Sequence, residues 1–157
     1  NISVLEITDD TNLPRINYSG FTYQDSLGSE EVVNGDFATD SDWTKTSQVT
    51  INNGVANILS NDGSFQILGQ NNVVTIGKSY VLTYTIVSAY NGSLKFSNFG
   101  QINSTVGTHK FYFVATETAI NIARNSGITD ISIDNISVKE DAGTLALQTV
   151  QILSSKA

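Results

Sequence analysis

The chain has 157 residues, of which 39% are hydrophobic and only 15% charged, with a net charge of −7 and no cysteine. That length suits one domain with its own core, and the missing cysteine excludes disulfides and thiolate metal sites. Eight scattered basic residues argue against a phosphate-backbone binder, and no apolar run approaches the roughly 18 residues that a membrane-spanning helix needs.

In chain order, residues 1–30 read as an N-terminal arm or linker. They hold the only proline, Pro14, two turn-forming patches at 9–12 and 26–30, and one strand at 2–7. The string Glu31-Val32-Val33-Asn34-Gly35-Asp36-Phe37 then reads as a first strand running into a tight turn. Trp43, alone before the next strand, is a core or sheet-edge plug. Residues 49–51 and 55–59 flank Asn52-Asn53-Gly54 and predict a β-hairpin, because Asn-Gly supplies the positive φ of a tight turn. Asp62-Gly63, Asn91-Gly92 and Ser126-Gly127 punctuate the rest in the same way.

Period-2 alternation marks the later strands. Phe65 with Ile67 forms one inward pair, followed by the set Tyr80, Leu82, Tyr84 and Ile86. Leu94 with Phe96, Phe111 with Phe113, and Ile120 with Ile122 repeat the arrangement. Ile131 and Ile133 keep one parity while Ile136 and Val138 keep the other, so a bulge near Asp134-Asn135 is expected. Residues 141–157 form a C-terminal tail. It fits a strand (Leu145, Leu147, Thr149) or a short helix (Leu145, Thr149, Ile152), and its apolar surface is expected to pack on the domain or on a neighbouring subunit. Evenly spaced short strands of this kind predict an all-β, antiparallel β-sandwich over residues 31–140.

Two segments carry a resemblance. The opening Val33-Asn34-Gly35-Asp36-Phe37 with Trp43, and the closing Ile133-Asp134-Asn135-Ile136-Ser137-Val138-Lys139, resemble the jelly-roll carbohydrate-binding modules of families 4, 9 and 22. The fuller string through Phe37-Ala38-Thr39-Asp40-Ser41-Asp42-Trp43 resembles modules of bacteriophage tail fibres and other virion proteins, and the resemblance covers residues 31–139. It implies a jelly roll whose first and last strands pair. It also implies a structural calcium at the matching positions Asp36 and Asp134, with no other cofactor required. Ala38 stands where many relatives carry an acid, so one expected ligand is missing. The alternative is that Asp36 bonds backbone amides in its turn while Asp134 settles the bulge.

For glycan contact, outward-facing Tyr112, Lys95, Thr85 and Asn121 are expected to share one sheet face, with Tyr90 and Phe99 on its rim. The alternative is a solvated face on which Tyr112 is a cross-strand aromatic. Catalysis is not expected. His109, the only histidine, has no Gly-x-Ser-x-Gly elbow to serve, and the acids cluster in the arm, at 36–42 and at 130–141. The reading at this level is a non-enzymatic phage virion structural module in a tail fibre, appendage or capsid decoration. Its partners would be other virion subunits, as a homo-oligomer or trimer, and host cell-surface glycans, with neither nucleic acid nor a membrane span. The alternative is a carbohydrate-binding module of a receptor-binding protein or of a secreted polysaccharide-degrading enzyme.

Overall fold

The computed structural model of the chain describes residues 27–141. The expected strand at 2–7 and the apolar tail at 142–157 lie outside the described residues. Within them, nine strands form: β1 (Leu27–Glu30), β2 (Thr44–Lys45), β3 (Val49–Asn52), β4 (Val55–Ser60), β5 (Ile67–Gln70), β6 (Ser79–Phe96), β7 (Gly100–Gln101), β8 (Gly107–Val114) and β9 (Ile120–Asp141). The β3–β4 hairpin closes through a two-residue turn, Asn53 and Gly54, at φ of 52° and 74°. Positive φ at both central residues matches the right-handed twist of the strands they join.

All pairing is antiparallel and centred on β9. Along one side β9 pairs with β6, from Tyr80↔Glu140 to Phe96↔Ile122. Along the other it meets β5, then β4, then β1. β8 extends the sheet from the first half of β6, and β7 from its end. β2 adds to β5 and β3 to β4.

This continuous sheet is folded into a sandwich by its two long strands. Phe113 pairs with Tyr80, yet its ring centroid lies 4.9 Å from that of Phe96, sixteen residues further along β6. A straight strand would separate those points by about 50 Å. β6 therefore curls over, and Phe96 meets Phe111 and Phe113 across the core. Tyr80, Leu82, Tyr84, Ile86, Leu94, Phe96, Ile120 and Ile122 are all buried, as alternation requires. The fold is an all-β, antiparallel jelly roll.

The expected seam is present. Glu31 N donates to Val138 O and Ile136 N donates to Gly35 O, both at 2.9 Å. A Cβ at Gly35 would stand 1.9 Å from Ile136 O, so the close approach of the two segments requires glycine there. The bulge falls at Asn135 (φ 52°). Between Thr83↔Ser137 and Thr85↔Asp134, β9 takes three steps against two on β6. Trp43 is buried, donates from Nε1 to Asn34 O at 2.9 Å and packs on Phe37.

Several expectations are revised: residues 31–37 are irregular and not a first strand, and Asn91-Gly92 and Ser126-Gly127 lie inside β6 and β9 and do not end strands. Leu27–Glu30, assigned to the arm by its turn-forming residues, is a strand of the sheet held by β9. Phe65 with Ile67 is not an inward pair: Gln66 and Leu68 are buried there, and Phe65 is 54% exposed. Burying Gln66 leaves nothing unpaired. Its Oε1 accepts from the Thr46 hydroxyl and Gln48 N, and its Nε2 donates to Ser64 Oγ. Among the described residues no helix is long and apolar enough to cross a membrane.

Candidate functional site

The site begins with a small residue on the outward side of the sheet. Where β5, β9 and the end of β6 run side by side, the cross-strand row is Ile67↔Ala123↔Lys95, and the adjacent pair is Gly69↔Asn121. Outward side chains normally cover the strands beneath them. Beside the short side chain of Ala123 lies a hollow of about 160 Å³, lined by Phe65, Lys95, Ser97, Asn98, Glu117 and Asn121 over a floor of Ile67 and Ala123.

Each wall has a local cause. Phe65 is turned outward because Gln66 takes the inward place before β5. Lys95 reaches across Ala123, which has no long side chain to block it, and sets its ammonium 5.5 Å from the Phe65 ring centroid. Ser97 (φ 40°) grips the backbone of Asn121 twice, its N donating to Asn121 O at 2.7 Å and its Oγ accepting from Asn121 N at 3.2 Å. The Asn121 side chain lies over Gly69, where a Cβ would meet its Oδ1 at 2.3 Å. The ion pairs among the described residues are Lys45–Asp40 and Lys78–Glu140, so neither Lys95 nor Glu117 belongs to one. An exposed ring, a cation, a carboxylate, two amides and a hydroxyl thus surround one shallow hollow. That set can stack on an apolar ring face and exchange several directional hydrogen bonds.

Of the five expected glycan residues, the hollow brings together Lys95 and Asn121. Tyr112 and Thr85 lie elsewhere. Tyr112 (56% exposed) points outward from β8 between the inward Phe111 and Phe113, and it pairs with Val81. Lys95 points outward beside Phe96, whose ring meets those phenylalanines from the opposite layer. Tyr112 and Lys95 therefore lie on opposite outer surfaces, because β6 curls between them. Thr85 Oγ1 is engaged with Thr108 Oγ1 at 2.9 Å on the Tyr112 side. Tyr90, 75% exposed, stands on the ribbon where β6 and β9 pair at Asn91↔Asp130. Phe99 forms no rim; it packs on Phe96, Phe111 and Phe113.

Sequence reasoning missed Phe65, Ser97, Asn98 and Glu117. The available signal was a small residue, Ala123, at an outward strand position.

The residues expected for calcium, Asp36 and Asp134, lie at the seam. A second depression, of about 260 Å³, lies at the seam and is lined by Glu30, Asp36, Asn135 and Ser137 among others, but not by Asp134. Asp134 accepts from Asn135 N and Nδ2, and Asp36 Oδ1 accepts from Ala38 N. Glu30 accepts from Val32 N, Val138 N and the Ser137 hydroxyl. These are turn, bulge and seam contacts, the roles of the alternative reading. Among the described residues no three His, Cys, Asp or Glu side chains form a metal-holding group.

No family model matches the chain, and no curated protein matches it. Among solved structures, a carbohydrate-binding module of family 4 is similar over 69% of this chain and 99% of its own length, at 15% identity and a TM-score of 0.42. The enzymatically active domain of tailspike protein 4 from bacteriophage CBA120 is similar over 71% of this chain, at 17% identity and a TM-score of 0.43. The match takes in only 21% of that tailspike chain. Both are likenesses of fold alone.

The second likeness corrects the expectation that the chain is not an enzyme, since a similar fold occurs in a domain that is enzymatically active. The missing motif was weak ground for that expectation, because tertiary structure gathers catalytic carboxylates from distant positions. Glu117 illustrates this: it stands in the hollow, outside all three acidic clusters of the sequence.

Proposed function

We propose that the domain docks a saccharide in the Phe65–Lys95–Asn121 hollow, as the binding module of a receptor-binding protein or of a secreted polysaccharide-degrading enzyme. The observation that carries this reading is the exposed Phe65 ring beside amide, hydroxyl and charged groups in one depression. A pyranose ring offers an axial C–H face for the aromatic side chain and a rim of hydroxyls for Asn98, Asn121, Ser97 and Glu117. Shallow, open hollows suit an extended polysaccharide better than a small molecule that needs most of its surface covered. The similarity in fold to a family 4 carbohydrate-binding module agrees with this reading without deciding it. Calorimetric titration of the domain with soluble polysaccharides tests it: binding is expected, and Phe65→Ala is expected to abolish it while leaving thermal unfolding unchanged.

A place in a phage virion is the second reading. It is favoured by Val87, Tyr90 and Ile128, large apolar side chains left exposed on the β6–β9 ribbon, which a subunit contact can cover. Light scattering of the full chain tests it, since a virion subunit assembles and a lone module stays monomeric.

A further inference from the structure

Resting on the docking reading above, we infer that the saccharide is acidic and that Lys95 receives its anionic group, a carboxylate or a sulfate ester. Lys95 lines the hollow. Its side chain crosses Ala123 and ends over Phe65, which places the ammonium above the hollow. The Phe65 ring attracts that charge without neutralising it. Neither ion pair among the described residues, Lys45–Asp40 or Lys78–Glu140, involves Lys95. Glu117, the other charged group lining the hollow, is not ion-paired with Lys95.

Lys95 and the amides of Asn98 and Asn121 supply N–H donors to the hollow, and Glu117 supplies an acceptor for hydroxyls. A cation at the hollow with no ion-pair partner among the described residues favours an anion over a neutral hydroxyl. The remaining charge of the chain is net negative and largely screened beyond about 8 Å at physiological salt. Attraction of an anion at Lys95 is therefore local.

The test compares a galacturonic-acid oligomer with its methyl ester, and a sulfated galactan oligomer with its desulfated form, by calorimetry on the full chain. At least one charged probe is expected to bind roughly tenfold more tightly than its uncharged counterpart. That preference should shrink at 0.5 M sodium chloride, vanish in Lys95→Met and persist in Lys95→Arg, with thermal unfolding of both variants unchanged. Equal binding of charged and uncharged partners overturns this inference while leaving the docking reading intact. A preference that survives in Lys95→Met also overturns it. If no probe binds and neutral glucans and xylans fail as well, both readings fall.

Discussion

The side-chain amide of Gln70 pairs with both backbone groups of Val33. Its Oε1 accepts from Val33 N at 3.0 Å, its Nε2 donates to Val33 O at 2.9 Å, and Nε2 also donates to Asp42 O at 3.1 Å. A buried side chain of β5 thereby ties down the segment after β1 and the residue before Trp43. Gln70→Leu keeps the volume and strands three backbone groups. Urea unfolding is expected to show a loss of about 2–4 kcal/mol at unchanged m value. A loss below about 0.5 kcal/mol would mean that water replaces the amide.

Gly35→Ala tests the seam. The added Cβ would sit 1.9 Å from Ile136 O, a backbone atom that cannot rotate away. The segments must separate, with loss of the Ile136 N to Gly35 O bond. The variant is expected to lose roughly 3 kcal/mol or more, read as a lowered thermal midpoint. Gly35 is not among the glycines with positive φ, so the loss reads the close approach and not φ strain.

Two groups set the pH dependence at opposite ends. Hydrogen bonds from Ser64, then from Gln48, lower Asp62 from 3.8 to about 2. Its contribution is therefore complete above about pH 4 and lost as pH falls toward 2. In Asp62→Asn that portion of the acid dependence should disappear. Burial raises the Tyr84 phenol from 10.0 to about 12, so the folded state holds the proton more tightly than the unfolded chain. Stability present below pH 10 is lost between 10 and 12, and Tyr84→Phe should flatten that decline. The same variant should lose about 1 kcal/mol at neutral pH, because Tyr84 OH donates to Asn103 O.

The fold was legible wherever one parity of a strand was wholly apolar. Tyr80 to Ile86, Leu94 with Phe96, and Ile120 with Ile122 point inward as alternation demands. The turn at Asn53-Gly54 and the bulge at Asn135 follow from glycine chemistry and from a parity change. Legibility failed at residues 65–70, where Phe65 and Ile67 compete with Gln66, Leu68 and Gln70 for the inward side. Periodicity favours the phenylalanine; the network of Thr46, Gln48 and Ser64 around Gln66 reverses that choice, and it involves residues up to twenty positions away. The site failed for a related reason. Tyr112 and Lys95 are both outward by parity, but the curl of β6 sends them to opposite surfaces, and a one-dimensional pattern carries no curl.

Gly69→Ala separates the site from the fold. A Cβ there would stand 2.3 Å from Asn121 Oδ1, the end of a side chain that can swing away, and 3.3 Å from Ile120 O. Stability is expected to change by less than about 1 kcal/mol, while the displaced Asn121 narrows the hollow and weakens saccharide binding. Intact affinity in this variant would place the ligand elsewhere.

The most direct test of the account is amide chemical-shift mapping of the isotope-labelled protein during titration with the soluble polysaccharide that binds most tightly. The account predicts shifts concentrated at Phe65, Ser97, Asn98, Glu117 and Asn121, and their disappearance in Phe65→Ala. Shifts clustered instead around Tyr112 and Thr85 on the opposite surface, or binding that survives Phe65→Ala, would contradict it.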